Sequence, residues 1–300
     1  MNYRKIASLL AGAPLLAAMP ATAQEAESGR AEEGPPAERN FDPGILGGDF
    51  ITVGVGGALS PSYTGSDDYV FSVLPVALGN VGGVQITPRA AGLRLDFIEN
   101  PDQGVGFDLG VAARLRNNRA EDIEDEVVLQ YGELDRAIEV GPSVGVSFPG
   151  VLIPVDTLSV STDVMFDVAG AHDGTVIAPS VSYTTPLSRG MIASLSFNAE
   201  WADESFQDYY FRSDPLTFTG VPGDALPAYE PDGGGFTSVG ANLLLGIDLD
   251  GDATNGGFGL IVLTGYSRLV GDAADTPFTT LRGTRDQFLG AIGLTYSFGL

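Results

Sequence analysis

The last strand of the sequence constrains the fold more than any other feature. Every second residue from Phe288 to Phe298 is apolar, aromatic or glycine, and the residues between them are mostly small or polar. Because successive side chains of a β-strand point to opposite faces, one face would meet an apolar medium and the other a wet or tightly filled interior. This pattern is typical of a transmembrane β-barrel, although a strand of a soluble sandwich could also show it.

The same alternation recurs along the chain, and its repetition favours the barrel over the sandwich. Segments of about nine to thirteen residues match the tilted span of a hydrocarbon core. We therefore predict an all-β protein, a transmembrane antiparallel up-and-down β-barrel of about twelve strands within residues 49–300. The candidate strands begin at Phe50 and continue at 69–79, 83–98 (broken by Pro88), 104–116, 137–148, 157–168, 175–184, 190–201, 206–212, 236–249, 256–267 and 286–298.

Charged residues set the register of the strands. Slipping segment 157–168 by one residue would turn Asp163 and Asp167 toward lipid, where a charged group near the bilayer midplane costs up to a few kcal/mol. The charged residues that face the lumen in the favoured register are Arg94, Asp96, Asp108, Arg114, Arg116, Glu139, Asp163, Asp167 and Glu200.

The first residues have the features of a targeting segment. A basic pair, Arg4 and Lys5, precedes an apolar stretch, and a small-x-small site precedes Gln24. We predict a cleaved signal peptide over 1–23, and hence export to the outer membrane of a Gram-negative cell. Residues 24–48 are rich in Glu, Ala, Pro and Gly, and this composition predicts a disordered periplasmic tail.

Loop lengths and aromatic residues give an orientation. With both termini periplasmic, the longer links 61–68, 214–235 and 268–285 lie outside, and 79–83 and 202–205 form tight inner turns. Connection 117–135, with its acidic run, would then be periplasmic, either a solvated face or a docking surface for a periplasmic partner.

We expect an aromatic girdle at the strand ends, formed by Tyr69, Trp201, Tyr209, Tyr210, Tyr266, Tyr296 and Phe298.

Several functional classes find little support in the composition. The formal net charge of -24 argues against binding of nucleic acid or anionic headgroups, and it is compatible with divalent ions bridging carboxylates to lipopolysaccharide. There is no cysteine, and the one histidine, His172, lies in a predicted periplasmic turn where it would be solvated. The acidic segment 248–252 lacks the Gly and Glu of an EF-hand. We therefore predict no catalytic, cofactor-binding or metal-binding residues.

Short motifs in a set order carry a family resemblance. They are Pro61-Ser62-Tyr63-Thr64-Gly65-Ser66, Tyr210-Phe211 followed by Leu226-Pro227-Ala228-Tyr229, Asp272-Ala273-Ala274-Asp275-Thr276-Pro277, and Asp286-Gln287-Phe288. Over 48–298 the chain resembles the MipA/OmpV family. It departs from the family at Asp286, where Asn is usual, and at Gly299-Leu300, which follow the terminal aromatic.

The resemblance implies an outer-membrane barrel without enzymatic activity. One family member is described as a scaffold that brings a murein lytic transglycosylase to a bifunctional penicillin-binding protein, a hydrolase and a synthase of peptidoglycan. Other members are described as porin-like or as surface adhesins. No residue-level site transfers from the family to this chain.

The state of the lumen separates the two functional hypotheses. If the inward charges pair with one another, the barrel is a plugged platform, which suits a cell-envelope scaffold for murein-remodelling enzymes. If water persists among them, the acidic excess predicts a porin-like, cation-preferring channel.

Overall fold

Twelve antiparallel strands close into a barrel in the computed structural model, which describes residues 44–89, 91–98 and 104–300. Each strand pairs with the next along the chain, and the last pairs with the first, so the predicted transmembrane up-and-down barrel is confirmed. The strands are β1 (Phe50–Pro61), β2 (Tyr69–Val81), β3 (Val84–Arg89), β4 (Gly92–Asp96), β5 (Gly106–Arg116), β6 (Ala137–Pro149), β7 (Thr157–Asp167), β8 (Thr175–Ser188), β9 (Met191–Ala202), β10 (Gly235–Asp248), β11 (Gly257–Leu269) and β12 (Asp286–Gly299).

The pairing of β12 with β1 shows how the sequence pattern sets the two faces. Leu294 is paired with Val55, and both side chains are about half exposed on the outer surface. The neighbouring Thr295 is buried and paired with Gly54. Directly paired residues share a face, so the apolar rows lie outside and the small or polar rows inside.

Four short helices lie in the connections that the structure describes. They are α1 (Glu126–Leu129), α2 (Glu204–Phe211), α3 (Gly271–Asp275) and α4 (Pro277–Thr280). Among the residues described, no helix is long and apolar enough to cross a membrane. The predicted signal peptide and most of the predicted tail lie outside the described residues; residues Gly44–Gly47 form a 3-10 turn whose Ile45 N–H donates to the Thr254 carbonyl at 2.9 Å.

Two predicted strands were wrong, and the errors cancel in the count of twelve. Segment 83–98 is two short strands, β3 and β4, because the chain reverses around Ala91, whose φ is +52°. Segment 206–212 belongs to helix α2 instead of a strand. The Asp203 side chain caps this helix by accepting from the Phe206 N–H, and residues four apart lie on the same helical face.

The extra reversal moves later connections to the other end of the barrel. We call the two ends the terminal end, which carries residues 44–49, Leu300 and the turns 82–83, 150–156, 189–190 and 249–256, and the loop end, which carries 62–68, 117–136, 168–174, 203–234 and 270–285. Connection 117–135 and the His172 turn therefore lie at the end opposite the termini, and the prediction that placed them at the same end as the termini was wrong. Residues 202–205 begin the long connection at the loop end and are not a tight inner turn.

Glycines allow close approach on the side of the barrel that carries most inward charges. A Cβ added at Gly110 would lie 1.9 Å from the Leu95 carbonyl oxygen, and one at Gly141 would lie 1.9 Å from the Val164 carbonyl oxygen. Any side chain at these two positions would push neighbouring strands apart. The wall therefore has no room for a side chain at these two positions.

The apolar core sits inside the barrel mouth at the loop end. One cluster joins helices α2 and α3 to inward residues of the strands, and its largest members are Phe206, Tyr210, Phe211 and Met165. A second cluster contains Tyr63, Ile123, Val128, Leu226 and Phe278, all from connections. Tyr210 is 1 % exposed, so the predicted girdle position of Tyr209 and Tyr210 was wrong. Both residues belong to α2, which folds inward.

Candidate functional site

The nine charged residues predicted to face the lumen fall into two groups by exposure. Arg94, Asp96, Asp108, Glu139 and Asp163 are buried. Arg114, Arg116, Asp167 and Glu200 are partly buried. The structure brings most of them together as ion pairs, and it adds two residues that the sequence reading did not include.

Four of these residues form the central network, which we define as Arg114, Arg116, Glu139 and Glu200. Arg116 Nε donates to Glu139 Oε1 at 2.6 Å, and Arg114 Nε donates to Glu139 Oε2 at 2.7 Å. Both guanidinium groups also bind Glu200 Oε2, at 2.8 and 3.0 Å. Glu200 lies on β9, four strands away from β5, so the network crosses the lumen. Two cations and two carboxylates leave it without net charge.

His172 joins this network, which the sequence reading did not foresee. The predicted solvated turn histidine has a side chain that is fully buried, with Nε2 3.3 Å from Glu139 Oε1. Its Nδ1 accepts the Gly174 N–H at 3.0 Å, so in the neutral ring the proton lies on Nε2 and is donated to Glu139. Both ring nitrogens are therefore engaged in holding the network.

A second group of charges lies on the wall formed by β3, β4, β6 and β7. Arg89 Nε is 3.3 Å from Asp163 Oδ2, and Ser143 donates to Asp163 Oδ1 at 2.5 Å. Arg94 pairs with Asp96 at 3.2 Å. Arg89 was missed because segment 83–98 was read as one strand. The signal was present in the alternation of Gln85, Thr87 and Arg89.

The remaining two predicted residues have local roles. Asp167 accepts backbone N–H groups of Ala169, His172 and Asp173 and so holds the turn that carries the histidine. The carboxylate of Asp108 lies against Gly145, where an added Cβ would be 3.0 Å from Oδ2. Neither residue belongs to the central network.

An aromatic layer covers the central network on its loop-end side. The Arg116 guanidinium lies over the Phe206 ring, 4.7 Å from its centroid, and the Phe206 and Tyr210 rings are 4.7 Å apart. Burial raises the pKa of Tyr210 above the usual range of a phenol. We call this layer, together with the cluster around Phe278, the aromatic plug.

Arg119 lies inside the aromatic plug without a carboxylate partner among the described residues. It is 4 % exposed, its guanidinium lies 4.2 Å from the Phe278 ring centroid, and Nη1 donates to the Tyr210 carbonyl at 3.4 Å. Burial lowers the pKa of Arg119 to about 10, so the group keeps its charge at neutral pH. The face of the Phe278 ring partly stabilises the buried positive charge of Arg119, as an anion would.

Hydrogen bonds tie the connections to one another across the mouth. The Tyr63 hydroxyl donates to the Arg282 carbonyl at 3.0 Å, and Arg282 pairs with Asp125 at 2.7 Å. Thr276 donates to the Phe211 carbonyl at 2.8 Å. These bonds link four separate connections, so the plug is a folded unit and not a set of independent loops.

Away from the charged groups, the lumen has a different lining. Short polar side chains bond across neighbouring strands, as in Thr52 with Ser297 at 2.6 Å and Asn242 with Asn198 at 2.9 Å. Within the described ranges, no group of three or more His, Cys, Asp or Glu could hold a metal ion.

Comparison with known proteins places the chain in a family. The family described as MltA-interacting protein MipA matches residues 53–298. No curated protein matches the chain. An outer-membrane channel from Pseudomonas putida F1 is 13% identical with a TM-score of 0.41, and the match covers 89% of this chain and 100% of that one. OmpT of Vibrio cholerae is 8% identical with a TM-score of 0.34, over 83% and 97% of the two chains.

Proposed function

Because this chain belongs to the family of the MltA-interacting protein MipA, we propose that it is a non-enzymatic outer-membrane scaffold for murein-remodelling enzymes. The observation that carries the proposal is the closure of the lumen at the loop end. A platform needs a stable barrel and a surface for its partner, and it needs no continuous aqueous path.

The central network and the aromatic plug support a barrel that does not conduct. Ion conduction requires hydrated groups that bind weakly enough to release the ion. Here Glu139 is fully buried and is held by Arg114, Arg116 and His172. Opening the path would separate buried ion pairs, which costs about 3–5 kcal/mol when one partner is lost. Phe206 also covers the network on the loop-end side.

An enzymatic role finds little support in the same geometry. A general base must have a free nitrogen or oxygen within reach of a substrate proton. His172 has no exposed side-chain surface, and both its ring nitrogens are hydrogen-bonded within the barrel. We therefore favour a binding role for the protein.

The orientation decides where a murein enzyme would dock. Outer-membrane barrels have short periplasmic turns and longer extracellular loops, so we propose that the terminal end is periplasmic. Connection 117–135, which the sequence offered as a periplasmic docking surface, then lies on the outer side of the membrane. Contacts with lipid and with lipopolysaccharide belong to the outer wall and the loop end in this orientation.

The terminal end carries an apolar projection that suits a protein partner. In the turn 150–156, Val151, Leu152, Ile153 and Val155 are 42% to 75% exposed. The Asp156 carboxylate accepts the N–H groups of Val151, Leu152 and Ile153 and the Tyr183 hydroxyl, so the projection is held rigid. A rigid apolar surface loses little conformational entropy on binding.

A porin-like, cation-preferring channel is the second candidate. The polar lining around Thr52, Ser297, Asn198 and Asn242 and the net charge of -24 favour it. It requires the plug to move. The hypothesis of a surface adhesin requires the same barrel and places the adhesive surface at the loop end.

Two measurements test the scaffold. The purified protein in a planar bilayer is expected to show no conductance steps, and regular steps would favour the channel.

A purified periplasmic murein lytic transglycosylase is expected to bind the protein in detergent, with binding lost in Leu152→Glu. The same change at Leu216, which is 92% exposed at the loop end, is the control and should leave binding intact. Equal binding by wild type and L152E would contradict docking on the projection.

A further inference from the structure

Within the described residues, the boundary between β2 and β3 has the fewest strand pairs of any boundary in the barrel wall. Strand β2 forms twelve pairs with β1 along its other edge. With β3 it forms only three pairs, Gly79 with Ile86, Asn80 with Gln85 and Val81 with Val84, all at the terminal end. Toward the loop end, residues 69–78 of β2 and 87–89 of β3 do not pair with each other. We call these two unpaired stretches the seam.

Two prolines contribute to the seam. Pro75 lies on β2, and Pro88 lies on β3, where the continued register would place it opposite Ala77. Proline has no N–H to donate to a ladder, and within sheets it is found at strand edges. The two strands therefore carry residues suited to an edge on both sides of the seam.

Apart from Ser72, the inner face of β2 is apolar, in contrast to the polar walls opposite. Leu78 is paired with Thr52, and Ser72 is paired with Ala58; both Thr52 and Ala58 are buried inside the barrel. Alternation then places Val70, Leu74 and Val76 on the inner face with them. The inward residues from Val70 to Leu78 remain only partly buried, so the plug does not cover them.

Glycines extend this apolar face into a trough. Leu74 is paired with Gly56, Gly56 with Gly293, and Gly293 with Ile261. These four residues lie in one row across four strands and share the inner face. The two glycines carry no side chain, so the row is low in the middle and bounded by Leu74 and Ile261.

The outer side of the seam lies in the surface that faces hydrocarbon. Phe71 and Val73, on the outer face of β2, are 65% and 64% exposed. Leu93, paired with Pro88 on the other side, is also exposed. The aromatic plug blocks access from the loop end, so the hydrocarbon outside the seam is the nearest apolar source at this height.

We propose that the seam is a lateral opening through which an acyl chain of a membrane lipid enters the barrel and lies on the inner face of β2. The length of the unpaired edge, the prolines and the apolar trough point to the same occupant. A water-filled pore would be lined by polar groups at these positions, and a sealed wall would continue the ladder. This inference does not depend on the scaffold role.

Fluorescence quenching by lipid tests the opening. The chain has one tryptophan, so Trp201→Phe removes the background. In that variant, Leu74→Trp places the probe on the inner face beside the seam. Val73→Trp is the outward reference, and Leu244→Trp is the inward control, because Leu244 lies on β10 between two ladders that are paired along their length. Each protein is reconstituted in vesicles of phosphatidylcholine with brominated acyl chains.

The expected result is quenching of L74W close to that of V73W and several times that of L244W. Quenching of L74W no greater than that of L244W would overturn the proposal. Quenching of both inward probes would also overturn it, because lipid access would then not be specific to the seam. If L74W does not fold, Ser72→Trp places the probe on the same inner face, and its quenching is compared with that of V73W and L244W in the same way.

Discussion

Arg116 and Glu139 face each other across adjacent strands, with Arg116 Nε 2.6 Å from Glu139 Oε1, at the centre of a network that spans the lumen. The Glu139 side chain is fully buried, and that of Arg116 is 13% exposed. Truncating one partner of such a pair leaves an uncompensated buried charge, whereas an exposed pair loses little.

Glu139→Leu should therefore destabilise the barrel by about 3–5 kcal/mol, because Arg114 and Arg116 lose their shared carboxylate. The measurement is urea unfolding in micelles, followed by the change in electrophoretic mobility between folded and unfolded barrel. Glu121→Leu, which breaks the exposed pair with Arg136, is the control and should cost about 0–1 kcal/mol. Equal losses for the two variants would show that the central network is not a stabilising element.

Two buried arginines should respond in opposite ways to substitution by methionine. Arg116→Met leaves Glu139 and Glu200 with fewer cations and should lower the free energy of unfolding by about 3–5 kcal/mol. Arg119→Met removes a buried charge that has no carboxylate partner among the described residues and should leave that free energy unchanged or raise it. The same unfolding assay compares them. A large loss in R119M would mean that the contact with Phe278 more than offsets desolvation.

Phe206→Ala should open a cavity above the central network. The Phe206 side chain is 1 % exposed and contacts both Tyr210 and Arg116, so we expect a loss of about 3–5 kcal/mol. Leu216→Ala, at an exposed position of the same connection, should stay within about 0.5 kcal/mol of wild type. Conductance steps in F206A and not in wild type would show in addition that the plug limits the path.

The apolar projection should loosen at low pH. Burial of the Asp156 carboxyl opposes its ionisation, but the Tyr183 hydroxyl and three backbone N–H groups outweigh this and lower the pKa of Asp156 below the usual range. A carboxylate whose pKa is lower in the folded protein than in the unfolded chain stabilises the fold at any pH above the pKa of the unfolded chain. This stabilisation is lost as the pH falls through the pKa of the folded protein. The protection of the Val151, Leu152 and Ile153 amides, measured as their exchange rate relative to an unstructured peptide at the same pH, should therefore fall below about pH 4. Asp156→Asn should exchange fast already at neutral pH, and an unchanged pH profile in that variant would contradict the assignment.

Cysteine labelling in intact cells should reveal the orientation. The chain has no cysteine, so Leu216→Cys and Leu152→Cys each provide a single label site at opposite ends. A maleimide that does not cross the outer membrane should label L216C, because long loops of such barrels are extracellular. L152C should react only after permeabilisation. The reverse result would place the termini outside and remove the proposed docking surface from the periplasm.

Much of the barrel could be predicted from the alternation of residues. The outer face of β12 follows from its alternating apolar residues, and the inward register of β7 follows from the cost of placing charges in lipid. Both effects act on each strand separately. The strand count was reached through two opposite errors, at segments 83–98 and 206–212. Both errors have a local cause, since a short hairpin and an amphipathic helix can each present apolar residues at intervals that resemble a strand.

The tertiary structure alone decided which charges meet and what closes the mouth. His172, Arg89 and Arg119 reach their partners through contacts between segments far apart in sequence, and no local period encodes such contacts. The same holds for the seam, because strand pairing is a relation between two segments, and β2, which is apolar on both faces, does not show in its own residues how far β3 pairs with it. The sequence by itself therefore determined the medium that each face of a strand meets, because burial depends on side-chain chemistry, and the three-dimensional fold determined which groups share the interior.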